Sequence, residues 1–577
     1  MILASIAAAA WIALLWYAAP IVGGDGREPA DRLAGTLVLG VLVPFALGML
    51  HALAAPALFA VACALCILRR WRHAPSRLAE RRPQRDRAAV ALVVFAVVAA
   101  AWPALVRPLL EGDSLAYHLP NAAAWVRAGS LWDASTRYWW YPGGSELFAA
   151  GLYAVSGPFS LGLSGTLAAL LLGLRIVAWG RRCGVEPLLA GAAGAATLAT
   201  LTVGLQAGNL QNDVWLAAFF VEMLFDARYA PRKLGGDAAV CVLVKPYGWA
   251  FAAYAAIASR RPDRWMLLPL VAGILWVVRD AVLWSRAVIP PGSIAFPAIE
   301  RTTVLGNGLG GLVELAGALA HDGPWMVVLA LAPFAGAFLL KDRWLCVAGI
   351  VAFLAFLALP FSYGNAVAQL ASGQSLRYAL PALALGAIAA MLLLRRSGIL
   401  GAAVLLVVAA AGLHRIAAIF WIDPHTRDAV FAAAALAAAT MLVAQPWASL
   451  VTALVAAMLI VGAAANASRD AVARYDELLL PQHTRVFDWL AHRRLARAVV
   501  SDVAAGAVVV VSPQTQVFDV LDPAPCDEAR ALGAALVFRT TPPPEKTVFP
   551  SAVRQFTHCG PLLYGDEAVK VVAPSSP

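Results

Sequence analysis

The sequence predicts an all-α polytopic membrane protein that carries a small soluble α/β domain at its C-terminal end. Three observations lead there. Of the 577 residues, 61% are hydrophobic and 14% are charged, whereas soluble domains average about 45–50% and about 25%. Apolar runs of helical length recur from the first residues to about residue 464, and the basic residues gather in short connectors between them.

A span needs roughly 20 mainly apolar residues to cross about 30 Å of hydrocarbon. Backbone amides in lipid must be satisfied within the segment, so the runs are helices, and about 13–14 of them fit the chain. Met1 to Trp16 is apolar, with no basic leader and no clear small-residue cleavage site. It reads as a retained first span, with a cleaved signal as the other reading.

The net charge of +10 invites a nucleic-acid partner, but its placement excludes one. Eight arginines (69, 70, 72, 77, 81, 82, 85 and 87) fill a single connector, as in a cytoplasmic loop under the positive-inside bias. Anionic headgroups of the bilayer are the partner such a loop meets.

With 69–87 inside, the rest threads in order. Span 88–110 exits, and 111–158 forms a first outer loop. Span 159–179 returns to Arg181 and Arg182, and 188–206 exits again. Span 213–229 ends at Arg228, Arg232 and Lys233. Lys245-Pro246 interrupts 237–259, which reads as two short helices with that pair at the outer tip. Span 265–278 exits at Arg279, and spans 324–340 and 345–361 bracket Lys341 and Arg343. Span 378–394 leads in to Arg395 and Arg396. The later leg places Arg415 and Arg427 outside, with an inner turn near Gln445 that has no basic residue.

Residues 1–465 thus form the membrane domain and 466–577 a different kind of unit. In the latter, Ala507–Val511 reads as a buried strand, Asp527–Leu532 as a short helix, and Ala534–Arg539 and Val569–Val572 as strands. Cys526 and Cys559 are its two cysteines. They are a disulfide of an oxidising compartment or two thiols, and sequence leaves both open. Cys63 and Cys66, without a His or carboxylate nearby, read as core residues rather than metal ligands.

The first outer loop holds the densest chemistry. Glu111 and Asp113 stand where a span emerges, and Asp113 and Tyr117 share a face if a helix starts there. Either Asp113 or Ser114 is then a candidate cap. His118, Trp125, Arg127, Trp132, Arg137, the run Tyr138-Trp-Trp-Tyr141-Pro and Glu146 follow. Aromatic belts account for some of these. Acidic, basic and aromatic residues together suit sugar recognition.

Asp113-x-x-x-Tyr117, with Trp125 and a Gly129 turn behind it, resembles the first outer loop of the GT-C superfamily of membrane glycosyltransferases. The nearest branch is that of the protein O-mannosyltransferases and the lipid A aminoarabinose transferase. Asn209-Leu-Gln-Asn212-Asp213 stands where that family places a second acid. Val244-Lys245-Pro-Tyr-Gly-Trp249 resembles its Lys-containing turn, Arg279-Asp280 its Arg-Asn element, and Arg377-Tyr-Ala-Leu-Pro381 its Arg-Tyr-x-x-Pro element. Ser114 stands where the branch has an acid, and Glu111 gives a Glu-x-Asp pattern instead.

The resemblance implies inverting transfer of a sugar from a polyprenyl-phosphate donor to a glycan, lipid or protein acceptor. It implies this at the extracytoplasmic face of a bacterial inner membrane. Under it, Asp113 is the general base and Glu111 assists. Tyr117, His118, Arg137, Tyr141, Asn212 and Asp213 hold substrate, and Lys245, Arg279 and Arg377 bind the donor phosphate. A cofactor stays open, a divalent metal ion at Asp113, Glu111 and Asp213 being one expectation. The competing class is a transporter or flippase, which uses ionisable residues near the membrane midplane. Glu222 and Arg175 are the deep candidates for that class.

Overall fold

A computed structural model describes residues 2–23, 28–72, 84–106, 113–136, 138–259, 264–284, 303–340, 343–358, 374–420, 484–493, 495–501, 505–519, 525–539, 559–565 and 569–573. The sites expected at Glu111 and Arg137, and the leg through Arg427 and Gln445, lie outside these residues.

The membrane part is a bundle of apolar helices. It opens with α1 (Ile2–Ala18), α2 (Pro29–Met49), α3 (Ala55–Arg72) and α4 (Gln84–Val106). The first outer segment, expected as a loop, carries α5 (Leu119–Ala128) and α6 (Gly144–Ser156). Its sequence is apolar enough to be drawn into the bundle. α6 packs on α1 and α2, with the Phe148 ring 5.8 Å from that of Trp11.

Next come α7 (Leu163–Arg182), α8 (Pro187–Leu198) and α9 (Asp213–Tyr229). Glu186 caps α8, its carboxylate accepting the Leu189 N–H at 2.9 Å, and Pro187 takes the first helical position, where no N–H is needed. α10 (Leu234–Val244) and α11 (Gly248–Ser259) flank the expected break, where Lys245 is extended at φ −152°, ψ 151°. Gly248 lies against the Cys241 carbonyl, where a Cβ has no room, so the two helices fold back closely only with glycine there. The remainder are α12 (Leu267–Trp284), α13 (Gly308–Asp322), α14 (Pro324–Leu339), α15 (Arg343–Ala358), α16 (Leu380–Leu393) and α17 (Gly398–Phe420). The expected spans 213–229, 324–340 and 378–394 meet helices within two residues at each end.

Five described stretches are long and apolar enough to cross a bilayer: Leu3–Val22, Pro29–Met49, Leu163–Arg182, Leu267–Trp284 and Leu376–Ala417. Their faces divide as lipid contact requires. On α12, Trp276, Arg279 and Leu283 are buried while Leu270, Val271, Ile274, Val277 and Val278 are exposed. A contiguous exposed apolar stripe of this kind is the surface of a helix solvated by lipid.

Around Arg175 the buried charges are tied together. Arg175 donates from Nε to Glu222 at 2.5 Å and from Nη2 to Asp31 at 3.0 Å. Lys233 stands 3.1 Å from Asp31, and the Arg175 guanidinium lies 4.1 Å from the centre of the Phe225 ring. The residues expected to mark a transport path are thus fully buried partners that join α2, α7 and α9.

The C-terminal unit holds α18 (Thr484–His492), β1 (Arg497–Ser501), α19 (Ala505–Val511), β2 (Gln516–Asp519), α20 (Pro525–Leu532), β3 (Ala535–Arg539), β4 (Leu562–Gly565) and β5 (Val569–Val572). The sheet order is β2-β1-β3-β5-β4. β1 runs parallel to β2 and β3, with Val499 opposite Leu536, and β5 is antiparallel to β3 and β4. The helix at α20 and the strands at β3 and β5 fall where expected. Ala507–Val511 is a helix, not the strand its valines suggest. A parallel β1–β2 pair needs a crossover between its strands, and α19 is that crossover, apolar because it is buried. Cys526 and Cys559 form a disulfide with Cα atoms 5.3 Å apart, a normal separation.

This unit rests on the first outer segment. A Cβ on Gly506 would lie 2.6 Å from the Leu115 carbonyl oxygen, and Arg127 Nη2 donates to the Pro513 carbonyl at 2.9 Å.

Two outcomes follow from this arrangement. With the five free cysteines replaced, an impermeant thiol reagent added to sealed cells should label Gln514→Cys and leave Arg182→Cys unlabelled. The reverse would invert the threading. Arg175→Met leaves Glu222 and Asp31 facing one another without their shared cation. It should cost about 3–5 kcal/mol, read as a fall in the thermal unfolding midpoint of the purified protein.

Candidate functional site

The site is built where four segments distant in sequence meet at helix ends. The first is a single π turn, Ser114–His118, running directly into α5, with the Leu119 N–H donating to the Ser114 carbonyl five residues back. π turns put more residues into each turn and recur at functional sites. Asp113 precedes the turn and makes no side-chain capping bond to it, so the capping role considered for Asp113 is not the one its carboxylate takes. The Ser114 hydroxyl accepts the Leu210 N–H at 3.0 Å, which fixes the π turn to the second segment, the approach to α9.

That segment delivers Asp213 as the first residue of α9, at the positive end of the helix dipole. Asn212 is buried immediately before it, and its carbonyl accepts the Leu216 N–H at 3.0 Å. The third segment is the Lys245 break. The fourth is the 3₁₀ turn Gln374–Ala379, which carries Arg377 into the start of α16.

Side chains from all four meet. Arg377 Nη1 is 2.6 Å from Asp113 Oδ2, and its Nε is 3.7 Å from Asp213 Oδ2. Asp213 Oδ1 also accepts from Lys245 Nζ. Two carboxylates and two cations therefore form one chain, Asp113–Arg377–Asp213–Lys245, with equal numbers of each sign. Lys245 and Asp213 are nearly sealed, whereas the Arg377 and Asp113 side chains keep 17% and 28% of their surface open. Arg377 Nε is buried without a hydrogen bond, and so is the Tyr247 hydroxyl. Tyr378 lies under both cations, 5.0 Å from Lys245 Nζ and 5.2 Å from the Arg377 guanidinium carbon.

Tyr117 lies in the electrostatic field of Arg377. Its ring stands 4.1 Å from His118 and 4.9 Å from Tyr138, centre to centre. Tyr141 is partly exposed and lies within electrostatic reach of Lys245, Asp213, Tyr378 and Glu146. Tyr138 holds φ +59°, a sparsely populated conformation for a side-chain-bearing residue that the surrounding aromatic packing maintains.

Two expected substrate or phosphate ligands are placed otherwise. His118 is buried, with Nδ1 2.6 Å from Glu146 Oε1, and Ser145 Oγ donates to the other Glu146 oxygen at 2.8 Å. It anchors the π turn to α6. Arg279 is wholly buried and donates to the carbonyls of Leu131 at 2.7 Å, Trp139 at 2.8 Å and Asp133 at 3.2 Å, and to Asp280 at 2.7 Å. Trp276 lies 4.7 Å below its guanidinium. Its fork is committed to the 131–139 loop, and it is not positioned for a phosphate. Tyr247, Tyr378 and Glu146 were present in the sequence motifs without a role. Adjacency to Lys245 and Arg377 is the signal that marks the two tyrosines.

A metal ion at these carboxylates does not fit the described residues. Asp113 faces Arg377, and Asp213 faces Lys245 and Arg377, so cations already hold those oxygens. Among the described residues, the carboxylates with metal-ligand spacing are Glu222, Asp226 and Asp237, in the charge network around Arg175.

The fold and site together define a polytopic membrane protein with a site of paired charges and aromatic rings. No family model matches the chain, and no curated protein does. Among solved structures it is similar to ArnT from Cupriavidus metallidurans, in the apo state at 17% identity and bound to undecaprenyl phosphate at 16%. Each match covers 84% of this chain and 97% of the other, with TM-scores of 0.45 and 0.43. Superposition that loose transfers no residue roles, and the functional reading rests on the site itself.

Arg279→Lys tests the structural assignment. Lysine keeps the charge but cannot reproduce three carbonyl contacts from one planar fork. Charged hydrogen bonds contribute about 1.5–3 kcal/mol each, so the variant should melt well below wild type and be cleaved within 131–139 by added protease. Phosphate-ligand binding by the folded fraction should be unchanged.

Proposed function

We propose that this protein is a membrane glycosyltransferase that moves a sugar from a polyprenyl-phosphate donor to an acceptor hydroxyl at the extracytoplasmic face of a bacterial inner membrane. The chain Asp113–Arg377–Asp213–Lys245 supports the reading most directly. It sets a partly exposed carboxylate against a guanidinium whose buried Nε makes no hydrogen bond, with a second cation held on Asp213, an arrangement suited to a lipid-anchored phosphate and a water-borne acceptor.

In this reading the acceptor oxygen attacks the anomeric carbon as the bond from that carbon to the phosphate oxygen breaks. One displacement inverts the configuration. The acceptor proton passes to Asp113, and the electron pair of the broken bond stays on the phosphate, whose charge Arg377 and Lys245 stabilise. Tyr117 and Tyr141 border the path by which the acceptor reaches Asp113, Asn212 and Asp213 shape its floor, and Glu111 assists the base. The transporter alternative loses its main support because Arg175 and Glu222 are locked to each other across helices.

Asp113→Asn retains size and removes basicity. Turnover of a polyprenyl-linked sugar in reconstituted membranes should fall by about 10²–10⁴-fold, with Glu111→Gln falling less. Full activity in Asp113→Asn would move the base to another carboxylate.

A further inference from the structure

The resting site presents a chemical conflict. The carboxylate assigned as base has an oxygen 2.6 Å from the guanidinium assigned to the phosphate. While that pair stands, the oxygen cannot take a proton from the acceptor and the guanidinium is not fully available to the donor. We infer that the donor phosphate binds by taking Arg377 from Asp113, so that arrival of the donor releases the base.

The inference rests on the glycosyltransferase reading, and burial decides which pair opens. Asp213 and Lys245 keep only 4% and 7% of their side-chain surface. Separating them would strand charges out of water, at a cost that a single new contact does not recover. Asp113 keeps 28%, so it can exchange the guanidinium for water or for the acceptor hydroxyl. The charge count points the same way. Among the described residues, the two carboxylates and two cations of the chain balance, and a phosphodiester adds one negative charge. That anion is accommodated only if a cation changes partner.

One edge of the guanidinium stays anchored through the exchange. Arg377 Nε is buried and makes no hydrogen bond, standing 3.7 Å from Asp213. Nη1 and Nη2 share the end of the fork, where two phosphate oxygens engage them in the bidentate geometry that guanidinium favours, replacing Asp113 at Nη1. Asp213 remains beside Lys245 and holds the guanidinium from behind while its partner changes. The order of events follows: donor first, base released second, acceptor activated last. A hydroxyl entering before the donor meets a carboxylate still engaged with Arg377, which protects against unproductive proton transfer.

The consequence runs against the usual effect of mutating a catalytic residue. Asp113 competes with the donor for Arg377, so removing its charge should tighten donor binding while abolishing turnover. Undecaprenyl phosphate titrated into the full-length protein in phosphatidylcholine nanodiscs is the probe. Asp113→Asn and Asp113→Ala should each bind it at least about tenfold more tightly than wild type, the loss of one competing charged contact. Asp213→Asn should bind more weakly, because it frees no competitor and leaves Lys245 buried without its partner. Asp113 variants that bind equally or more weakly, from a wild type that binds, would overturn the exchange and leave Asp113 as an organiser of Arg377. A wild type that does not bind the lipid would instead remove the glycosyltransferase reading, and the exchange with it.

Discussion

The site depends on the pairing of Lys245 with Asp213. An ammonium at a break between two apolar helices is expensive unless a counter-charge reaches it. Asp213 reaches it because α9 starts there, with the carboxylate at the helix end that favours negative charge. The pairing fixes three things at once. It sets the height of α9 against α10, it gives the extended Lys245 backbone a single orientation, and it presents the second Asp213 oxygen to Arg377. Without it the break would be a flexible tip and Arg377 would have one anchor rather than two.

Two charge networks use the same physics for opposite ends. The one around Arg175, Glu222, Asp31 and Lys233 is sealed at Arg175 and Glu222 and crosses between helices. Its role is to fix helix register, since opening it would leave buried charge unpaired. The other network is graded. It is sealed at Lys245 and Asp213 and partly open at Arg377 and Asp113, so it combines a rigid floor with an exchangeable edge. Arg279 serves neither network. Its fork holds the Leu131, Asp133 and Trp139 carbonyls, with the Trp276 ring against it.

Much of this was legible in the sequence, for identifiable reasons. Spans such as 213–229 and 324–340 are bounded by basic clusters or by proline, and lipid removes the alternatives to helix. The Lys245 break was legible because lysine followed by proline has few other uses inside an apolar run. The roles of His118 and Arg279 were not legible. Both residue types suit anion or sugar recognition, and only tertiary structure shows Glu146 facing the imidazole and three carbonyls facing the guanidinium. Ala507–Val511 misled through composition. Four consecutive valines favour a strand, but β1 and β2 are parallel and the crossover between them must be filled. The partial burial that separates Asp113 from Asp213 has no sequence signature at all.

The position of Asp113 can be traced back to the bundle core through a short series of contacts. α6 is seated against the middle of α1 and α2, with Phe148 packed on Trp11 and against Gly40. Its first turn carries Glu146, which holds His118 by Nδ1. His118 closes the π turn, and the bond from Leu119 to Ser114 spans five residues instead of four. In an ordinary α-helix residues five apart point away from each other. The wider turn brings positions 113, 117 and 118 toward one face. From the opposite side, α19 closes on Leu115 with only glycine between the backbones. The backbone at Asp113 is therefore held from two sides, while its side chain stays partly exposed beside Arg377.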